Sequence, residues 1–270
     1  PPPPPGLNYI AAIQPSFNML MIGTSFSAAL IPLLIVLFFF STKALRRMPI
    51  FILNVISILL GISMGILNVY RTLVSPSKLH PSGDITMGCL IFIIPFFVES
   101  ILVFRIFAVY PPRTTPTKVI VAISIPLLLL KTGRIANATQ FLVRYAKIAR
   151  EIPNPMIAGQ ISWTANPGQR IEWGLQMADN SLASFLFLRR LNTGMLVAKD
   201  SSVQVVGGLF WIAVSNFVFP VLLSLAQLIF SFKDPSFLDG NYVFMCNDYV
   251  AIIGVLLATV WTAGNQWSNE

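Results

Sequence analysis

The chain has 270 residues, of which 55% are hydrophobic and only 10% charged, with a mean hydropathy of +0.75. A soluble domain of this length carries about 25% charged residues, so the polar surface is too small for a water-soluble globule and a lipid bilayer is the natural solvent. The formal net charge of +8 then belongs to basic loops at membrane surfaces, not to nucleic-acid binding, for which no basic face exists.

Residues 1–14 open on five prolines, a stiff extended stub without the basic region or cleavage site of a signal peptide. Apolar runs of roughly 20 residues mark membrane helices, and seven follow, at about 15–40, 49–70, 86–109, 118–140, 171–190, 203–231 and 248–266. They make a seven-helix transmembrane domain over 15–266 and leave 267–270 as a short end. The breaks between them, such as SPSKLHPSGD, YPPRTTPTK, NPGQR and FKDPSFLDGN, carry Pro, Gly, Ser and charge. The expected fold is thus all-α, a polytopic bundle.

The second span starts at Pro49, where a missing N–H costs nothing, just after Lys43, Arg46 and Arg47. It carries Asn54 about five residues in. The third span holds Cys89, Glu99 and, about five residues from its end, Arg105. At about 1.5 Å per residue, Asn54 and Arg105 lie equally deep, so a direct contact is expected; Arg105 can alternatively snorkel to the headgroups. Lys131 and Arg134 follow in the fourth span. In the fifth, Glu172 is joined by a stripe of Gln176, Asp179, Asn180 and Ser184 at helical spacing. Such a stripe tolerates a bilayer only if it faces other helices or a polar cavity; on a surface helix the count would drop to six spans. Glu99, Lys131, Arg134, Glu172, Gln176, Asp179 and Asn180 are therefore expected to line a polar cavity among spans three to five, or to form a static set of ion pairs. Pro220 interrupts the sixth span as a candidate hinge.

Cations are densest at 43–47 and 189–199, which puts those loops in the cytoplasm and the N-terminus outside. Cys89 and Cys246 then share the oxidising side, where a disulfide is permitted; two small buried thiols are the alternative. A single histidine, His80, and the absence of HExxH leave no basis for an enzyme, a metal or a cofactor. No lysine in the seventh span can hold a retinal Schiff base.

Four stretches resemble the fungal alpha-factor-type mating pheromone receptors, the class D G-protein-coupled receptors. They are Arg46 to Asn54 with Ser57, Glu99 to Phe104, the run about Pro220, and Val255 to Asn265. Arg105 stands where the family usually has Gln, Leu256 where it has Pro, the loop after the fourth span is unlike the family's, and the family's long tail is missing after Glu270. The resemblance implies a plasma-membrane receptor for an extracellular ligand, with a peptide as the candidate, coupled to a heterotrimeric G protein. It makes Asn54 and Arg105 a polar switch. Arg46, Arg47, Arg113, Arg189, Arg190 and Lys199 become a G-protein-facing surface, although basic loops also suit anionic lipid headgroups. Gly23 and Ser27, a variant of the family's Gly-xxx-Gly motif, become a homodimer face; packing within the same chain is the alternative. Two other classes stay open: a small-solute transporter or channel using the polar cavity, and a structural bundle.

Overall fold

The computed structural model describes residues 7–74, 81–111, 113, 115–152, 155–165, 167–197, 218–233 and 238–267. These form eight α-helices: α1 (Leu7–Phe39), α2 (Pro49–Val69), α3 (Pro81–Val109), α4 (Thr117–Glu151), α5 (Pro155–Ala165), α6 (Gly168–Val197), α7 (Phe219–Lys233) and α8 (Leu238–Trp267). There is no strand among the described residues. A 3₁₀ turn at Leu45–Arg47 leads into α2, and one π turn at Tyr70–Val74 ends it. Pro49 is the first residue of α2, after an extended Met48, as its locked φ and absent N–H require.

Packing closes a ring. α1 lies on α2, α2 on α3, α3 on α4, α4 on α6, α6 on α7, α7 on α8, and α8 returns to α1. α3 also meets α8 and α6 across the middle. The apolar core, with Leu30, Ile58, Ile94, Ile101, Tyr249 and Ile252 fully buried, fills the space where α1, α2, α3 and α8 converge.

The surface inverts the usual rule. Leu128 and Leu129 are each 67% exposed while Arg134, about a turn and a half on, is 1% exposed. Ile35, Leu59, Ile66, Phe185 and Leu222 also point outward. Apolar side chains outside and charge inside suit a hydrocarbon solvent. Five helical stretches are long and apolar enough to cross a membrane: Gln14–Phe39, Pro49–Leu73, Ser82–Val109, Thr117–Glu151 and Leu238–Trp261. The chain is a multi-pass membrane protein.

Two boundaries differ from the sequence reading. α8 begins at Leu238, roughly ten residues before the expected start of the seventh span. The long loop expected after the fourth span is largely helix. α4 runs on through Arg144, Lys147 and Arg150, and α5 follows. The run NATQFLVRYAKIARE has no helix breaker before Ile152-Pro153, so the helix outlasts its apolar stretch.

Gly23 and Ser27 lie inside the bundle and do not form a free face. Ser27 Oγ donates to Gly23 O at 2.6 Å and sits 2.9 Å from the Tyr249 hydroxyl of α8. Tyr249 in turn donates to Gly61 O at 3.1 Å. A Cβ on Gly23 would lie 2.6 Å from Met245 Cε, and one on Gly65 would lie 1.7 Å from Ser27 Oγ. Small residues here let three helices of one chain approach closely, which corrects the expected use of this motif between two copies. Cys89 and Cys246 are both free thiols, so the permitted disulfide is not formed.

Gly65→Ala should force α1 off α2 and destabilise the bundle by about 1–3 kcal/mol, read as a lower unfolding midpoint in lipid nanodiscs. Adding Ser27→Gly should restore part of the loss, because it removes the two nearest atoms the new methyl meets and leaves the Gly23 carbonyl at 3.0 Å.

Candidate functional site

Five ionisable side chains from three helices meet in the bundle. Lys131 Nζ of α4 donates to Glu99 Oε2 of α3 at 2.6 Å and to Asp179 Oδ2 of α6 at 2.5 Å. Arg134 Nε donates to Glu172 Oε1 at 2.7 Å, and Arg134 Nη1 bonds Glu99 Oε2 and approaches Asp179 Oδ2 at 3.5 Å. The guanidinium also stacks over the Phe96 ring, 5.0 Å from its centre. Asn137, one turn along from Arg134, donates to Gly168 O at 2.7 Å and to Glu172 Oε2 at 3.4 Å.

The geometry follows from spacing. Lys131 and Arg134 are three residues apart on α4, and Glu172 and Asp179 are seven apart on α6, so each pair shares one helix face. Glu99 reaches both cations from α3. Removing two such charges from water costs several kcal/mol per ion, recovered only when geometry and hydrogen bonding are good. Two cations shared among three carboxylates meet that demand and tie α3, α4 and α6 to one arrangement.

Beside the ion pairs lies a small cavity lined by Glu99, Gln176, Asn180, Pro220, Asn247 and Asp248, among others. Of the seven residues expected to line a cavity, Glu99, Gln176 and Asn180 do so, while Lys131, Arg134, Glu172 and Asp179 are held in the ion pairs. Asn180 Nδ2 donates to Ser224 Oγ of α7 at 3.3 Å, and Asn247 Nδ2 donates to Gln227 Oε1 at 3.3 Å. Pro220 is buried near the start of the described part of α7; residues 198–217 before it lie outside the described residues, and Lys199 with them.

Asn54 and Arg105 converge, but not on each other. Asn54 Nδ2 donates to Thr259 Oγ1 at 3.0 Å and to Ile50 O at 2.8 Å. Arg105 Nη2 donates to the same Thr259 Oγ1 at 2.7 Å and to Val255 O at 2.6 Å. The expected direct pair is therefore a three-helix junction through α8. A threonine hydroxyl has two acceptor lone pairs, so one side chain serves both donors. Arg105 faces inward, not toward the headgroups.

Arg46 folds back on the end of α1, with Nε donating to Ser41 Oγ at 2.8 Å and Nη2 to Phe38 O at 2.9 Å. There it adds a charged donor to the Phe38 carbonyl in the last turn of α1. Arg190 lies over the Tyr110 ring and donates to Val109 O at 3.3 Å. Arg47, Arg113 and Arg189 are exposed. All belong to the end of the bundle nearer the Asn54–Arg105–Thr259 junction.

The sequence reading passed over Thr259, Asp248, Asn247, Ser224 and Gln227. The signal is present for α8: Asp248, Ala251, Val255 and Thr259 recur at helical spacing, but Asp248 falls at the boundary of the expected seventh span. No protein-family model, curated protein or solved structure matches the chain. What fold and site define is a class: an all-helical, multi-pass membrane protein with an ionic core.

Arg134→Met should be severely destabilising, by roughly 3–5 kcal/mol, because it takes the cation from Glu172 and one of the two cations from Glu99. Arg134→Met with Glu172→Leu should recover much of that loss. Unfolding midpoints in nanodiscs provide the measurement; equal losses in the single and double variants would show that the pair is not the cause.

Proposed function

We propose that the chain is a seven-transmembrane receptor of the class D type, sensing an extracellular ligand and activating a heterotrimeric G protein. The observation that carries this reading is the Thr259 junction, where Asn54 of α2 and Arg105 of α3 share one acceptor on α8. A switch needs two arrangements of packed elements separated by a few polar contacts, and this contact joins three helices near the basic end.

Two further observations support seven crossings. α6 fails the count of apolar helices because of Glu172, Gln176, Asp179, Asn180 and Ser184, yet all five are buried. Its outward face, with Ile171, Phe185 and Leu188, is apolar enough for lipid. α7 contributes the apolar stretch Phe219–Phe230, and the sequence before it is also apolar. With the N-terminus outside, Arg47, Arg113 and Arg189 face the cytoplasm, where they would meet a G protein or anionic lipid. The buried charges at mid-depth support a second reading, a small-solute transporter.

The test is nucleotide exchange on a purified G-protein trimer, with the chain in nanodiscs and no ligand added. Thr259→Val keeps shape and removes the shared acceptor. Losing a charge-assisted hydrogen bond is worth about 1.5–3 kcal/mol, or roughly a tenfold to hundredfold shift in a two-state equilibrium. Thr259→Val and Asn54→Ala should each raise basal exchange, and together they should add up to less than their sum because they remove one node. Unchanged exchange in both variants would remove the switch. Solute flux in proteoliposomes with no exchange activity would favour the transporter.

A further inference from the structure

At the meeting of α3, α6, α7 and α8 the cavity beside the ion pairs measures about 10 Å³, room for a single water-sized particle. Its wall carries a set of buried oxygens without donors. Asp248 is 1% exposed, and neither of its carboxylate oxygens has a hydrogen-bond partner. Glu99 Oε1, Gln176 Oε1 and Asn247 Oδ1 are in the same condition. All four residues line the cavity. Unmatched polar atoms are rare in folded interiors, and each one calls for a reason.

Charge adds a second argument. Glu99, Glu172, Asp179 and Asp248 are four carboxylates facing two cations, Lys131 and Arg134. The first three form ion pairs. Asp248 lies near Glu99 and Arg134 electrostatically but pairs with neither. A proton on Asp248 would serve one oxygen and leave the others unmatched. A cation among them serves all of them together.

We propose that this cavity is a cation site that holds one sodium ion through Asp248, Glu99 Oε1, Gln176 Oε1 and Asn247 Oδ1. An all-oxygen donor set selects hard ions over zinc or copper, and no group of three His, Cys, Asp or Glu among the described residues is placed to hold a metal ion. Calcium takes six to eight oxygens and magnesium keeps several waters; the wall offers five oxygens and the cavity has no room for a hydration shell. An organic ammonium is too large. The site does not rest on the receptor reading: an ion here braces α3, α6 and α8 in a receptor, a carrier or a scaffold alike.

The full chain in nanodiscs is unfolded thermally in sodium chloride and in choline chloride at equal ionic strength, and binding of radioactive sodium is measured on the same sample. Sodium should raise the midpoint by about 3 °C or more and bind saturably. Asp248→Asn should abolish both effects. Gln176→Met, which keeps size and removes one neutral oxygen, should weaken binding about tenfold, and it serves as the test if the first variant does not fold. Equal midpoints with no saturable binding would overturn the site. So would a sodium response that persists in Asp248→Asn, or protection by calcium or magnesium without protection by sodium.

Discussion

Arg134 holds Glu99 and Glu172 in one plane of contacts, out of reach of water, and Lys131 carries the same carboxylate of Glu99 across to Asp179. In hydrocarbon none of these charges has another partner to turn to. The positions of α3, α4 and α6 are therefore set by electrostatics where a soluble bundle would rely on apolar burial. Helices gain little hydrophobic driving force against each other inside a bilayer, because lipid is as apolar as leucine. The outward leucines of α4 need nothing beyond lipid tails. Its inward face decides where it goes.

The other half of the bundle is built by close approach. Gly61 and Gly65 on α2 and Gly23 on α1 bring backbones near enough for Ser27 and Tyr249 to bond across three helices. The rings of Phe26 and Tyr249 stack almost parallel, 5.3 Å apart. α8 joins the two halves. It touches the glycine seam at Tyr249, the cavity at Asn247 and Asp248, and the polar junction at Thr259. A helix that serves three polar features within about three turns transmits any rotation to all of them.

Much of this was legible in the amino-acid order. The polar stripe of the fifth span was readable as inward-facing because a bilayer offers no other place for Gln176, Asp179 and Asn180. The depth of Glu99, Lys131 and Arg134 marked them as an inward polar set, either a cavity lining or ion pairs. What escaped was partner choice. Depth alone placed Asn54 beside Arg105, yet a threonine is small and common in membrane helices, so nothing marked Thr259 as their shared acceptor. The Gly23 and Ser27 motif specifies closeness without saying to what, and only the packing of α8 against α1 assigns it. α5 was missed because a count of apolar runs stops where the hydrocarbon stops, while helix formation does not.

α5 also lies at the end of the bundle away from the basic loops. Trp163 of α5 packs edge-on to Trp173, whose ring centre is 5.0 Å away, and Trp173 packs on Phe244. Gly240, in the first turn of α8, lies so close that a Cβ there would come within 2.6 Å of the Trp163 ring. Trp173 follows Glu172 directly in sequence, so this aromatic plug stands beside the ion pairs. Ring edges of Trp163, Trp173 and Phe244 thus tie α5, α6 and α8 together, so a change of ring size at any one of the three is felt by all three helices.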